Sequence, residues 1–279
     1  MSTENAKRTR SEPILEDYFR WNGYCDYEFE PSTPGKTKHP DYRLRWHHQE
    51  LFIEVKQLEQ KRKLPPPGVV IGVDIYKSLR KLIDKAREKF REYGELCCCL
   101  AVFNNGDWTA ILEPDAVFEA MLGDGGIKLD FNAAEGRAVP GTGRLAFLDG
   151  GKMLAPNSGK PQNTTISVIL VIEERRLNDP VFENRKRLAL DNFEREEGRP
   201  ASKTEKARVW FSEWQKDAPT KDRVPRLVAY KNPFASICLP VGMFCGDFDE
   251  VYEYADGRIG RIFAGSRVQE LFMVDRPGE

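Results

Sequence analysis

The 279-residue, 32.0 kDa chain is 40% hydrophobic and 31% charged, a composition that buries a core and is neither disordered nor fibrous. Its 43 basic and 44 acidic residues leave a formal net charge of -1, which excludes a polycation that coats nucleic acid over its whole surface. No apolar run reaches the roughly 18 residues of a membrane span, and MSTENAKRTRSEP carries no apolar secretory stretch, so no membrane association is expected and the cytoplasm is the expected compartment.

The charge is unevenly spread. Residues 1–94 hold 19 basic and 15 acidic side chains, a net of +4, and the remainder nets -5. Six cysteines, Cys25, Cys97, Cys98, Cys99, Cys238 and Cys245, include three adjacent ones in an apolar run, which suits buried reduced thiols better than a disulfide framework. Cys238 and Cys245 lack a second tight pair, so no zinc site is expected.

In chain order, Ser11 is placed to cap a first helix with Pro13 in its first turn. Ile14, Leu15, Tyr18 and Phe19 form its apolar stripe, and Gly23 is its terminator. Residues 24–30 alternate as a strand. Two further strand patterns, 41–46 and 51–56, lie close enough to form a hairpin through His47 and His48. Gln60 to Gly68 is a basic, proline-rich connection. Asp74 then caps a long amphipathic helix with Ile75, Leu79, Leu82, Ile83, Ala86, Phe90 and Tyr93 on one face and Gly94 at its end. Its other face carries Lys77, Lys81, Lys85 and Lys89, read as a solvated face that would also fit contacts to a DNA backbone. Leu96 to Phe103 is a strand buried on both faces.

A short helix is expected near 116–122, inside a Gly-rich stretch. The rest reads as a strand at 164–173, helices at 180–197 and 202–216, then strands and turns at 226–230, 235–240 and 257–265. The fold class is α/β, with 11–112 as a core, 113–163 as a Gly-rich insertion, and 164–279 as a C-terminal α+β region that either stands apart or completes the same domain.

The chemistry concentrates in HPDYRLRWHHQELFIEVKQ. Period-two alternation puts Tyr42, Leu44 and Trp46 on one face and Asp41, Arg43 and Arg45 on the other. In the second strand Leu51, Ile53 and Val55 oppose Phe52, Glu54 and Lys56. A turn centred on His47 and His48 pairs Trp46 with Gln49 and sets Asp41 across from Glu54, with His39 across from Lys56. Facing carboxylates repel and destabilise a sheet; a hard divalent cation between them is a reason to keep them. With Lys56 on the same face, the set contains the parts for hydrolysing a phosphodiester.

Pro40-Asp41, a twelve-residue gap and Glu54-Val55-Lys56 resemble the signature of the PD-(D/E)XK, or restriction-endonuclease-like, nuclease superfamily. The helix, strand, strand, strand, helix, strand order over 12–103, about a third of the chain, is similar to that superfamily's core, a mixed sheet flanked by helices. The resemblance implies that Asp41, Glu54 and the backbone carbonyl of Val55 bind Mg²⁺ or Mn²⁺, that Lys56 is the catalytic lysine, and that Glu16 on the first helix is an auxiliary ligand or water-orienting group. It implies a Mg²⁺-dependent nuclease acting on nucleic acid, DNA before RNA, and leaves a homodimer open. Some members carry a glutamine on the second helix, where this chain offers Lys85 and Lys89; subtypes that use that glutamine are not expected. Gln57 is a further candidate neighbour, and Lys61, Arg62 and Lys63 read equally as a phosphate-contacting loop or a solvated one.

Other readings stand beside these. Asp41, Glu54 and Lys56 taken singly are ordinary surface charges, and a restriction-endonuclease-like module without activity, binding DNA or a protein, is the alternative to an enzyme. His47 and His48 read as exposed turn residues, and Trp21 and Trp46 as core. GTGRLAF and GDGG do not form a nucleotide-binding loop.

Overall fold

A computed structural model describes residues 8–32, 35–59, 74–107, 110–132, 137–139, 142, 144–155, 160–177, 180–216 and 223–271. The first elements follow the sequence pattern closely. Helix α1 (Ser11–Trp21) is followed by β1 (Tyr27–Phe29), β2 (Tyr42–Trp46) and β3 (Gln49–Glu59), then α2 (Lys77–Phe90), a one-turn 3₁₀ extension (Arg91–Tyr93) and β4 (Cys97–Asn105). The stretch after it is more ordered than a loop, with α3 (Pro114–Leu122) and two small antiparallel pairs. In these, β5 (Gly123–Lys128) pairs with β8 (Arg144–Gly150), and β6 (Phe131–Asn132) with β7 (Arg137–Ala138). Then come β9 (Ile166–Arg176), α4 (Pro180–Glu197), α5 (Lys203–Lys216), β10 (Arg223–Lys231), β11 (Glu250–Ala255) and β12 (Arg258–Ala264).

Eight strands make one mixed sheet in the order β1-β2-β3-β4-β9-β10-β11-β12. The fold is therefore α/β with a large mixed sheet flanked by helices, and residues 164–264 supply half of its strands. The β2–β3 ladder is antiparallel, β3–β4–β9 parallel, β10–β11 parallel and β11–β12 antiparallel. Strand β11 has no counterpart in the sequence reading, because EVYEYA mixes acids and tyrosines instead of alternating cleanly. Conversely, 235–240 forms bends, not a strand.

Both faces of the sheet are covered. On one, Ile14, Leu15, Tyr18 and Phe19 of α1 pack on Leu44, Ile53, Cys99, Ala101 and Leu170. On the other, Leu79, Ile83, Ala86 and Phe90 of α2 and Val117 and Phe118 of α3 pack on Phe52, Cys98, Leu100 and Ile169. Alternation along β4 sends Cys97 and Cys99 to the α1 side and Cys98 to the α2 side; all three are buried free thiols. Asp249 ties the late strands to α1: its buried carboxylate accepts from the Tyr18 hydroxyl (2.5 Å), the Leu227 N–H (2.8 Å) and the Gly246 N–H (2.7 Å).

The chain divides into two compact units, one of residues 1–173 and 225–265, the other of 174–224 and 266–279. The large sheet, apart from the end of β9 and the start of β10, and the sites described below belong to the first. The second contains the α4 and α5 helices, which pack on each other. No helix among the described residues is long and apolar enough to cross a membrane.

Local capping departs from expectation in one place. Ser11 lies inside α1 as its first residue and is buried, its hydroxyl paired with that of Thr9 at 2.7 Å, and Glu12 Oε2 accepts the Thr9 N–H at 2.8 Å. The residue before the helix, Arg10, makes no side-chain cap bond; Glu12 instead ties the first turn back to Thr9. Asp74 caps as expected, accepting the N–H groups of Tyr76 and Lys77 at 3.0 and 3.1 Å.

Candidate active site

Site geometry starts at the hairpin. His47 and His48 both adopt positive φ, 46° and 66°, the backbone of a two-residue turn whose twist matches the strands it joins. Asp256 and Gly257 (φ 51° and 73°) make the equivalent turn between β11 and β12. Histidine tolerates this conformation better than most non-glycine residues, and both His side chains are exposed. The turn fixes Trp46↔Gln49 and, four pairs on, Tyr42↔Ile53. One step further lie Asp41 and Glu54, the expected pairing.

Because β2 ends at Tyr42, the edge of β3 is open beyond Ile53, and Asp41 fills it. Its Oδ2 accepts the N–H of Val55 at 2.6 Å. A strand residue's N–H and C=O point to the same edge, so the Val55 carbonyl also faces the space that Asp41 borders. Glu54 projects from the opposite side of the strand to Val55, toward α2, and is 2% exposed. Burial, then the charge of Asp41, holds its carboxyl above the ordinary range, against the pull of the Lys56 charge.

Two ammonium groups meet these acids. The Lys56 ammonium contacts Glu54 Oε1 and stands 3.9 Å from Asp41 Oδ2. The Lys89 ammonium, from the last turn of α2, contacts Glu54 Oε2 and lies 3.3 Å from Asp41 Oδ1. Its charge sits against Oε2 without a directed hydrogen bond, and that oxygen is buried with no hydrogen-bond partner. Burial pulls the Lys89 ammonium down, but contact with Glu54 and the charges of Glu54 and Asp41 outweigh it and leave its pKa raised. Lys89 is the residue the sequence reading undervalued. Its place three residues after Ala86 and one before Phe90, at the border of the apolar stripe, was the available signal.

Packing holds the end of the helix that carries Lys89 in place. The loop before β2 braces the end of α2: Lys36 Nζ donates to the Glu92 carbonyl (2.5 Å), Lys38 Nζ to the Glu88 carbonyl (3.3 Å), and the Tyr93 hydroxyl to the Lys38 carbonyl (2.7 Å). Cations at a helix C-terminus complement its dipole. Pro40 is buried beside Asp41, so the same loop positions both the acid and the helix carrying its partner.

Glu16 Oε1 accepts from the Tyr42 hydroxyl (2.9 Å) and from Arg8 (3.0 Å). Glu12 on α1 feels Asp41: its carboxyl is raised by burial, relieved by the Thr9 N–H, and raised again by the Asp41 charge. Gln57 accepts the Ser11 N–H (3.2 Å) and donates to Glu59 (3.0 Å), so it joins β3 to α1. His39 is exposed and precedes the β2–β3 ladder. Lys61, Arg62 and Lys63 lie outside the described residues. Trp46 packs on the core as expected, whereas Trp21 is 55% exposed at the end of α1.

Two carboxylates and a backbone carbonyl are a hard oxygen set of the kind Mg²⁺ takes, since that ion keeps several waters and needs few protein ligands. Glu54 Oε2, buried and met by the charge of Lys89, fits such a ligand. Among the described residues no group of three or more His, Cys, Asp or Glu forms a metal cage. No protein-family model, curated protein or solved structure matches this chain.

Proposed function

We propose that this chain is a metal-dependent nuclease hydrolysing phosphodiester bonds, DNA above RNA, on a restriction-endonuclease-like core. The observation that carries the reading is the meeting of Asp41, Glu54 and Lys56 at the open edge of β3, with the Lys56 ammonium against both acids. Facing acids repel, and burial adds to the cost at Glu54. A sheet keeps such a pair where the site has a use for it.

Asp41, Glu54 and the Val55 carbonyl would hold Mg²⁺ or Mn²⁺. Such an ion would supply charge neutralisation at the phosphate and activation of water. Lys56, 30% exposed at its side chain, orients the attacking water and donates to the phosphate as negative charge grows in the transition state. Lys89 places a second positive charge at the same face. The Val55 N–H keeps Asp41 turned toward Glu54, so the two acids are aligned before substrate arrives.

The test is cleavage of plasmid, linear, single-stranded DNA and RNA with Mg²⁺ or Mn²⁺. Wild type is expected to cut. Glu54→Ala and Lys56→Ala are expected to lose roughly 10²–10⁴-fold, the range for removing a group that acts in the transition state. If wild type cuts nothing, or both variants cut as well as wild type, the reading falls and the inactive binding module takes its place.

A further inference from the structure

We propose that Lys89 is an internal counter-ion standing in the divalent cation's place, so that metal binds only as the ammonium withdraws. The inference rests on the reading that Asp41 and Glu54 hold a metal. Of the four carboxylate oxygens, Asp41 Oδ2 is engaged by the Val55 N–H at 2.6 Å, and Glu54 Oε1 by the Lys56 ammonium. The two left facing each other are Asp41 Oδ1 and Glu54 Oε2, and the Lys89 ammonium touches both. A divalent ion held by those oxygens would need the space between them. An ammonium on the same pair leaves no room for it, and two cations sharing that space repel.

The element that carries Lys89 is built to allow both positions. The backbone of α2 is braced by Lys36, Lys38 and Tyr93, so the helix stays while the side chain moves. Lysine carries its charge on a flexible four-carbon stem, unlike the rigid fork of arginine. The side chain is 23% exposed, so an exit toward solvent exists. A phosphodiester bound at the face offers the departing ammonium a new anion. Substrate and metal then load together, and metal alone binds weakly.

The experiment is titration calorimetry of Mn²⁺ into the full chain without nucleic acid. It compares wild type, Lys89→Met, Lys89→Gln, Lys89→Arg and Glu54→Gln, each checked for a folded circular dichroism spectrum. Lys89→Met and Lys89→Gln are expected to bind Mn²⁺ at least about tenfold more tightly than wild type, a modest share of the repulsion relieved. Lys89→Arg is expected to match wild type or bind more weakly, because charge and not volume is the competitor. Mn²⁺ should also raise the Tm of Lys89→Met more than that of wild type. If the neutral variants bind Mn²⁺ no more tightly than a wild type whose binding Glu54→Gln abolishes, the counter-ion inference is overturned and the nuclease reading stands. If neither wild type nor the neutral variants bind Mn²⁺, both fall.

Discussion

Two clusters of buried charge lie on the same sheet and solve the same problem differently. At β9–β11, Arg226 presents its planar guanidinium to Glu173 (2.7 Å) and Glu250 (3.2 Å) and to the Phe248 carbonyl (3.4 Å). Glu250 also receives Arg261 (2.6 Å) and the Tyr252 hydroxyl (3.2 Å). Each acid has a directed donor. At β2–β3 the acids face each other, their partners are lysines, and Glu54 Oε2 has no directed hydrogen bond. Arginine's fork gives fixed geometry at the first cluster; lysine's point charge gives neutralisation without fixing at the second. The first cluster holds the sheet together. The second keeps an acid pair neutralised yet available.

The largest expected effect tests the structural cluster. Arg226→Met leaves Glu173 and Glu250 facing an apolar side chain, and removing one member of a buried ion network costs roughly 3–5 kcal/mol. Urea denaturation is the measurement, and a loss below about 1 kcal/mol, the scale of exposed pairs, would show that the network contributes little and that the contrast is false.

Next comes the response to a divalent ion. At free Mn²⁺ a hundredfold above its dissociation constant, wild type is expected to gain about 2.7 kcal/mol by mass action, read as a higher Tm. Glu54→Gln should lose that gain and Arg261→Met should keep it. A gain that survives Glu54→Gln would place the ion elsewhere and remove the functional half of the comparison.

How much of this was legible in the sequence follows from what each signal encodes. The β2–β3 register was readable because side-chain direction in a strand repeats every two residues and a two-residue turn fixes the pairing, so Asp41 and Glu54 came out opposite each other. The buried β4 was readable because CCCLAVF has no polar residue to face solvent. Lys89 was not, because a lysine stripe on a helix looks the same whether it faces water or an acid on the sheet; only the packing of Ala86 and Phe90 on that sheet decides. Glu12 and Glu16 are one helical turn apart on α1, so spacing alone does not single out Glu12. Strand β11 was hidden because Glu250 turns inward to Arg226, placing an acid where periodicity asks for an apolar residue.

A smaller effect, opposite in sign to the first, comes from Glu54 itself. Burial and the Asp41 charge raise its carboxyl in the folded protein, so between the ordinary and the raised value the native state holds a proton that the unfolded chain has released. That contribution is complete below the ordinary carboxylate range and is lost as pH rises through the raised value. At neutral pH the charged Glu54 is therefore a cost. Glu54→Gln is expected to melt above wild type at pH 7 in a chelator, with the gap closing as pH is lowered toward 4. A variant that melts lower at pH 7 would show that the lysines more than repay the acid, and the cluster would resemble the Arg226 network after all.

The smallest effect separates the inner and outer members of that network. Arg261 reaches Glu250 at 2.6 Å, but its side chain is 51% exposed, against 8% for Arg226. Water solvates the guanidinium in both native and unfolded states, so little is gained by the pairing. When Arg261 is removed, Glu250 keeps Arg226 and the Tyr252 hydroxyl. Arg261→Met is expected to cost less than about 1 kcal/mol, and the loss should shrink further in 1 M salt, where screening acts within about 3 Å. A cost equal to that of Arg226→Met would mean that Glu250 needs both guanidinium groups, and that its burial depends on the edge hairpin β11–β12 as much as on the centre of the sheet.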